Sequence, residues 1–222
     1  MQDLEAEKKL VAVEALKLIK DGMSVGLGTG STVKYFLEGL AALVQDGLEI
    51  TGIPTSRQTE QVARKLGIPL DLDINHVDVD VDGTDAFDLH GTLIKGGGGA
   101  LFREKVVAYN SSYVVIIADS TKLRQDFHGE TLIPVEILPF GKNMTVRNLE
   151  RLGCNVALRH EGKFITDGGN IIADCTFAGV DDPGILEKKM KAIPGVIEAG
   201  IFNGIANLLI FAKDKSIARM TF

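Results

Sequence analysis

The chain has 222 residues, of which 24 are Lys or Arg and 30 are Asp or Glu, so its net charge is −6. This acidic balance argues against a nucleic-acid partner, because phosphate backbones select basic surfaces. The apolar run VVIIA at 114–118 is far shorter than the ~20 residues of a membrane helix, so no membrane partner is expected either.

The opening residues and the cysteines bear on the compartment. The opening, MQDLEAEKKL, is charged and leads into an amphipathic pattern, unlike a secretory signal peptide. Cys154 and Cys175 are too few for a disulfide framework, and we interpret them as reduced thiols in a core. We therefore expect a cytoplasmic protein.

Helix and strand patterns alternate through the first half of the chain. Helices are predicted at 4–22, 32–47, 57–67 and 100–110, and strands or extended segments at 23–27, 48–56, 68–73, 77–83 and 112–120. In the first helix the apolar residues are expected largely on one side: Leu4, Leu10, Val11, Val13, Leu16, Leu18 and Ile19. The alternation predicts a Rossmann-like α/β domain with a parallel sheet.

Three polar segments follow predicted strands of that sheet. They are GTGST at 28–32, DGTD at 82–85 and DSTK at 119–122. Ligands of parallel α/β sheets bind beyond the carboxyl ends of the strands. Their shared placement therefore predicts a ligand site.

The pattern changes in the second half of the chain. Strands at 134–139, 154–161, 170–177 and 196–202 and helices at 144–153 and 184–195 give the order βαββαβ of a ferredoxin-like α+β domain. The last residues, 207–222, are expected to return to the large domain. The predicted division is 1–128 plus 203–222 for the Rossmann-like catalytic domain, and 129–202 for the small domain.

The aspartates of DVDVDGTDAFDL at 78–89 resemble the start of a calcium loop. Asp78, Asp80 and Asp82 have the right spacing, but the twelfth position is Leu89 instead of a glutamate, and a strand pattern precedes them. The histidines show no paired ligand spacing. No metal site is predicted, and Asp78, Asp80 and Asp88 are expected to be solvated or capping residues.

Two glycine-rich loops flank the aspartates in sequence. GLGTGS at 26–31 misses the third glycine of a dinucleotide loop, and no acidic residue ends the second strand. Its hydroxyls open a helix, which favours a phosphate; simple capping by Ser31 or Thr32 is the alternative. The second loop, 96–99, has four glycines between Lys95 and Glu104, which favours a site over a flexible hinge.

These segments together resemble type A ribose-5-phosphate isomerase. The resemblance rests on GLGTGST at 26–32, VDGTD at 81–85, LIKGGGGALFREK at 93–105, ADSTK at 118–122 and PVEILP at 134–139. It implies an aldose–ketose isomerase of the non-oxidative pentose phosphate pathway, which interconverts ribose 5-phosphate and ribulose 5-phosphate without metal or organic cofactor. It also implies a dimer or tetramer.

The resemblance implies roles for individual residues. Glu104 matches the general base, and the substrate-binding segments correspond to Thr29, Gly30, Ser31, Thr32, Asp82, Gly83, Thr84, Asp85, Lys95, Gly96, Gly97, Gly98 and Lys122. The usual segment of the family is DGADE, whereas this chain has DGTDA, so that Ala86 replaces a glutamate.

Proton chemistry explains why such residues are needed. We expect Asp82 and Asp85 to exchange protons with ring and hydroxyl oxygens, and Glu104 to move the proton between C2 and C1 through a cis-enediolate. Lys95 and the amides of Gly96–Gly98 are expected to meet the developing negative charge.

Two other classes of protein are alternatives to the isomerase. A sugar-phosphate sensor should carry an N-terminal DNA-binding helix pair and a basic face, and neither is visible. An acyl-CoA transferase on a related sheet should carry a carboxylate nucleophile and a long nucleotide groove, which the sequence does not indicate.

Overall fold

The computed structural model describes residues 4–73, 75–213 and 216–222; the parts of the predicted large domain at 1–3, 74, 214 and 215 lie outside the described residues. Within those ranges the chain forms six α-helices: α1 (Leu4–Leu16), α2 (Ser31–Gln45), α3 (Arg57–Lys65), α4 (Leu101–Tyr109), α5 (Lys142–Glu150) and α6 (Pro183–Lys191). No helix in this part of the chain has the length and apolar character that crossing a membrane requires.

The described residues also form thirteen strands. They are β1 (Ser24–Leu27), β2 (Thr51–Pro54), β3 (Val79–Asp82), β4 (Ala86–Phe87), β5 (Leu93–Ile94), β6 (Val114–Ala118), β7 (Thr131–Ile137), β8 (Asn155–Leu158), β9 (Ile171–Phe177), β10 (Val196–Ala199), β11 (Ile201–Phe202), β12 (Leu208–Lys213) and β13 (Ser216–Thr221). Short 3-10 turns cover Ser120–Lys122 and Arg159–Gly162.

The chain divides into two compact units. The larger unit contains the residues up to Thr84, then Arg103–Lys122, then Gly204–Phe222. The smaller unit contains Asp85–Phe102 and Leu123–Asn203. The division that the sequence suggests, at 128/129 and 202/203, remains a prediction.

The larger unit is built on a mostly parallel sheet. Its described strands lie in the order β13-β12-β6-β3-β1-β2, and only the edge strand β13 runs antiparallel to its neighbour. The chain moves from β1 outward to β2 and then returns past β1 to β3 on its other side. This reversal makes a topological switch point at the carboxyl ends of β1 and β3, where ligands of such sheets bind. The Rossmann-like prediction is confirmed.

The first helix is shorter than predicted, and only part of the expected apolar set is buried. Val11 is buried together with Ala12 and Ala15, whereas Leu10 and Val13 are 46% and 56% exposed. Leu16 packs against the core, and a Cβ atom on Gly39 of α2 would lie 2.3 Å from the Leu16 side chain. The expected one-sided set is therefore wrong for Leu10 and Val13, because Ala12 and Ala15 share the buried side with Val11.

The smaller unit has the predicted βαββαβ order. Its four-stranded sheet is antiparallel throughout, in the order β10-β7-β9-β8, and α5 and α6 follow β7 and β9. The side of β7 that carries Ile133, Val135 and Ile137 belongs to a buried apolar cluster with Leu149 of α5 and Met190 of α6. The ferredoxin-like prediction is confirmed.

One predicted strand differs from the structure, and one extended segment pairs only briefly. The extended segment 68–73 pairs with β2 through a single bridge, Leu70 to Gly52. The predicted strand 196–202 is divided at Gly200: β10 joins the four-stranded sheet, and β11 pairs with β5 in a small sheet of order β11-β5-β4. A Cβ atom on Gly200 would lie 2.3 Å from the carbonyl oxygen of Lys95, so the chain passes there against other backbone.

Candidate active site

Gly26 of β1 and Gly28, which directly follows β1, lie against two aspartates of β3 in the larger unit. A Cβ atom on Gly26 would lie 2.4 Å from Asp80 Oδ1, and one on Gly28 would lie 2.2 Å from Asp82 Oδ1. Both aspartates are buried, at 0% and 1% exposure. The glycines of GLGTGS therefore make room for carboxylates that lie across the sheet surface. The expectation that Asp80 is solvated or capping is wrong, because Asp80 is enclosed against Gly26.

Asp82 connects the ends of these two strands. Its Oδ1 accepts hydrogen bonds from the backbone N–H of Thr29, at 2.9 Å, and of Gly83, at 2.7 Å. The N–H of Gly28 donates to the carbonyl of Val81, at 3.0 Å. These bonds fix the Asp82 carboxylate at the switch point and fix the loop that leads into α2.

The start of α2 has no side-chain cap. Gly30 is its N-cap residue, with φ of 130°, and no side-chain hydrogen bond satisfies the first turn. The alternative in which Ser31 or Thr32 caps the helix is therefore wrong. The N–H groups of a helix's first turn and the helix dipole together suit an anion.

A cluster of hydroxyl groups binds the loop between β1 and α2. The Thr29 hydroxyl lies 2.8, 2.9 and 3.0 Å from the hydroxyls of Thr55, Ser56 and Thr59. Thr59 donates to the carbonyl of Gly28, at 2.8 Å, and Ser56 caps α3. The residues after β2, which carry no carboxylate for a ribose, thus bind the glycine loop instead. The closely spaced hydroxyl residues after β2 are the feature of the sequence that could have predicted this contact.

A cavity of about 310 Å³ opens beside this loop. Gly28, Thr29, Gly30 and Ser31 line it on the side of α2, and Thr59 lies on the side of α3. Its volume is in the range of small-molecule sites, which begins at about 300 Å³. The cavity adjoins the uncapped start of α2, and Gly30 and Ser31 belong to both.

Glu104 and Lys122 also belong to the larger unit. Glu104 is 5% exposed and lies in the first turn of α4. Lys122 ends the 3-10 turn that follows β6. That turn is held by Glu7 of α1, a buried residue whose Oε2 accepts from the N–H and hydroxyl of Ser120, at 2.9 and 2.7 Å. The sequence does not indicate this role of Glu7, because a glutamate in an amphipathic helix normally faces solvent.

Thr84 also lies in the larger unit, whereas Asp85, Lys95 and Gly96–Gly98 lie in the smaller unit. Lys95 is buried, with its ammonium 5.5 Å from the centre of the Phe202 ring. Asp85 Oδ2 accepts from the N–H of Gly97, at 2.6 Å. A Cβ atom on Gly97 would lie 2.7 Å from that carboxylate, so a larger residue there would displace Asp85 or the loop. Asp85 thus anchors the second glycine loop, a contact that the sequence did not indicate.

Two further aspartates of the stretch act as caps, as expected. Asp78 Oδ2 accepts from the N–H and the hydroxyl of Ser24, both at 2.7 Å, and these bonds hold the pKa of Asp78 below its usual range. Asp88 accepts from the N–H groups of His90 and Thr92, both at 2.9 Å. Among the residues that the structure describes, no three His, Cys, Asp or Glu side chains form a group that could hold a metal ion.

Comparison with known proteins agrees with this architecture. The family model of ribose 5-phosphate isomerase A (phosphoriboisomerase A) matches residues 51–216. A ribose-5-phosphate isomerase A of Picrophilus torridus is 50% identical over 202 residues, which cover 91% of each chain. One of Korarchaeum cryptofilum is 46% identical over 218 residues, which cover 96% of each chain.

Solved structures give the same result. The ribose 5-phosphate isomerase of Plasmodium falciparum superposes with a TM-score of 0.93 at 39% identity, covering 98% of this chain and 99% of its own. A D-ribose-5-phosphate isomerase in complex with phospho-erythronic acid superposes with a TM-score of 0.93 at 36% identity, over 100% of both chains. The chain therefore belongs to the ribose 5-phosphate isomerase A family and is an isomerase.

Proposed function

We propose that the protein interconverts D-ribose 5-phosphate and D-ribulose 5-phosphate through a cis-enediolate, as a step of the non-oxidative pentose phosphate pathway. The observation that carries the proposal is the similarity, over the whole chain, to an isomerase that binds phospho-erythronic acid. That compound carries a carboxylate and a phosphate, so it shares the phosphate of the substrate and the paired oxygens of an enediolate.

The substrate phosphate is proposed to bind at the start of α2, on Thr29, Gly30, Ser31 and Thr32. The uncapped first turn of α2 and the adjoining cavity support this assignment. The phosphate carries no chemistry in the reaction. Its binding holds the sugar in one orientation, which is how a remote group contributes to rate.

Glu104 is proposed as the general base that removes the proton from C2 and returns it at C1. Its burial supports this role, because a carboxylate shielded from bulk water interacts more strongly with the reacting atoms. General acid–base catalysis of this kind contributes about 10²- to 10⁴-fold in rate.

The remaining predicted residues are proposed to bind the sugar and stabilise charge. Asp82 is fixed by two backbone N–H groups, which suits a carboxylate that exchanges a proton with a ring oxygen at a defined position. Asp85 is proposed as a second such carboxylate, and Gly83, Thr84 and Lys122 as substrate contacts. Lys95 and the loop Gly96–Gly98 are proposed to stabilise the enediolate oxygens.

The wider setting is also proposed. The two cysteines are free and buried, which supports a reducing compartment such as the cytoplasm. Exposed apolar residues in the smaller unit support self-association as a dimer or tetramer. The partners are then a sugar phosphate and further copies of the chain, with no metal or organic cofactor in the reaction.

The experiment compares the wild type with Glu104→Gln on ribose 5-phosphate, following ribulose 5-phosphate with a chelator present. We expect rapid turnover by the wild type. The variant should be folded, and its turnover should be slower by about 10²-fold or more. Glu136→Gln is the matched control, since Glu136 is a buried glutamate of β7 that accepts from Thr166 and Asn170, both at 2.8 Å. It should keep near-normal turnover.

Each other result has a distinct meaning. Full activity in Glu104→Gln would leave the proposed isomerase activity intact and show that Glu104 is not the general base. No turnover in the wild type, with ribose 5-phosphate still raising the melting temperature, would indicate a sensor instead. Loss of wild-type activity on chelation would contradict the metal-free reaction.

A further inference from the structure

Arg159 joins the sheet of the smaller unit to the second glycine loop. It follows β8 directly, and its Nη1 donates to the carbonyl oxygens of Gly96, at 3.0 Å, and Gly97, at 3.1 Å. Its Nε and Nη2 donate to the two carboxylate oxygens of Asp174 on β9. The side chains of Arg159 and Asp174 are only 12% and 18% exposed. One guanidinium thus connects the loop to the sheet.

The surroundings hold Arg159 in this position. Phe164 lies 5.5 Å from its guanidinium carbon and also contacts the loop, because a Cβ atom on Gly99 would lie 2.4 Å from the Phe164 ring. His160 and Glu161, which follow Arg159, both have left-handed backbones, with φ of 47° and 57°. Non-glycine residues keep such conformations only where surrounding contacts impose them. This constrained backbone begins directly after Arg159.

The two carbonyls that Arg159 holds determine where two loop N–H groups point. A peptide unit is planar and trans, so the carbonyl of one residue and the N–H of the next point in opposite directions. Fixing the Gly96 carbonyl directs the Gly97 N–H away from Arg159, and this N–H donates to Asp85. Fixing the Gly97 carbonyl directs the Gly98 N–H in the same way. Gly98 N–H makes no hydrogen bond to any residue in the described part of the chain.

We propose that Arg159, oriented by Asp174, is a positioning residue for the isomerase: it holds the glycine loop so that the Gly98 N–H is directed at the enediolate oxygens. This rests on the proposed function. The positive guanidinium on both carbonyls also draws electron density from the two peptide units, which makes their N–H groups stronger donors. Arg159 touches no reacting atom in this role.

The first test measures the turnover and KM of Arg159→Met and Arg159→Lys with ribose 5-phosphate. Turnover should fall about 10- to 100-fold, as for other residues that orient a reacting group. KM should change less, because the phosphate binds elsewhere. Lysine should recover little of the loss, since one ammonium cannot replace a fork that donates to a carboxylate and two carbonyls. In Arg159→Ala, added guanidinium should restore part of the turnover, and methylammonium much less.

A binding measurement separates positioning from plain stability. Phospho-erythronic acid should bind Arg159→Met more weakly by a factor similar to the loss of turnover, because its carboxylate needs the oriented N–H. Inhibition by inorganic phosphate should stay as in the wild type. Lys191→Met is the matched control: it breaks another ion pair of this unit, Lys191 with the buried Glu198 at 2.7 Å, and should leave turnover unchanged.

The outcomes are distinguishable. If the wild type isomerises ribose 5-phosphate and Arg159→Met does so equally fast, the positioning role is wrong and the isomerase stands. If Arg159→Met only lowers the melting temperature, as Lys191→Met does, the residue is structural and the proposal is wrong. A wild type without isomerase activity would overturn the proposed function, and the positioning role with it.

Discussion

Gly28 shows how closely a single residue is constrained at the candidate site. A methyl group there would lie 2.2 Å from Asp82 Oδ1 and 2.5 Å from Asp82 Cα, which is closer than any real contact. The Asp82 carboxylate and the backbone of β3 would both have to move. The N–H groups of Thr29 and Gly83 would then lose their acceptor.

We expect Gly28→Ala to lower both stability and activity. Overpacking of this kind costs about 1 to 3 kcal/mol of unfolding free energy, and turnover should fall because Asp82 is displaced. Gly129→Ala is the matched control, since a Cβ atom at Gly129 would meet nothing within 4 Å. Denaturant titration and the isomerase assay check both variants. If the two variants have equal stability and equal turnover, the close fit of Gly28 to Asp82 is contradicted.

The residues of the site differ in how far sequence could find them. Asp82, Asp85 and Glu104 lie in short sequence patterns at the end of a strand or the start of a helix. Their positions can therefore be predicted from neighbouring residues. Arg159 has no such pattern, because its partners Gly96 and Gly97 are 63 and 62 positions away in the chain. Strand alternation puts Asp80 on the same side of β3 as Asp82, but only the structure shows that Gly26 lies against Asp80.

Contacts at the ends of helices and strands contribute to stability. One such contact lies at the start of β1. The N–H and hydroxyl of Ser24 bond to Asp78 and lower its pKa, so Asp78 stabilises the fold in its charged form. A carboxyl with a lowered pKa contributes this stability above the unfolded pKa of ~3.9 and loses it as the pH falls through the folded pKa.

We therefore expect Asp78→Asn to be less stable than the wild type at neutral pH and to approach it below about pH 4. The difference in melting temperature should be roughly 1 to 3 °C, because the side chain is 41% exposed and such contacts are worth at most about 1 kcal/mol. Melting curves of both proteins from pH 7 to acid check this. A difference that is constant or grows toward acid would show that the charge of Asp78 is not responsible.

The loop before α2 depends on the helix that follows β2. Thr59 of α3 donates to the Gly28 carbonyl and lies 3.0 Å from the Thr29 hydroxyl. Thr59→Val keeps the shape of the side chain and removes this bond. We expect KM for ribose 5-phosphate to rise several-fold to about 10-fold, with a smaller change in turnover, because the loop is proposed to bind phosphate.

Thr131→Val is the control for that change. Thr131 is also buried, and its hydroxyl also donates to a carbonyl, that of Gly129 at 2.9 Å, but it lies at the start of β7 in the smaller unit. It should leave KM as in the wild type. If both variants raise KM alike, or neither does, the hydroxyl cluster has no particular part in phosphate binding.

Element order was accessible from sequence, whereas faces and interruptions were less so. The order βαββαβ follows from alternating patterns and turn residues in 129–202. The buried face of α1 follows only in part, because Ala12 and Ala15 are buried beside Val11 while Leu10 and Val13 are exposed. Gly200 interrupts 196–202 through close approach to the backbone of Lys95, a partner distant in sequence. Such contacts decide where a continuous pattern is broken.

At the scale of the whole molecule, exposed apolar surface is the remaining feature to explain. Phe140 is 87% exposed, and Leu138 and Met144, close to it in the chain, are 41% and 62% exposed. Single exposed apolar residues are ordinary, but neighbouring ones mark contact surfaces. We take this group at the start of α5 as the surface through which the proposed oligomer forms.

Sedimentation tests this assignment directly. The wild type should sediment as a dimer or tetramer, and Phe140→Asp should shift toward monomer, because a charge buried in an apolar contact is costly. Tyr109→Asp is the control, since Tyr109 is 79% exposed on α4, in the other part of the chain. A wild type that sediments as a single monomer would refute the oligomer. An oligomer that Phe140→Asp leaves intact would place the contact elsewhere, and one that only Tyr109→Asp disrupts would move it to α4.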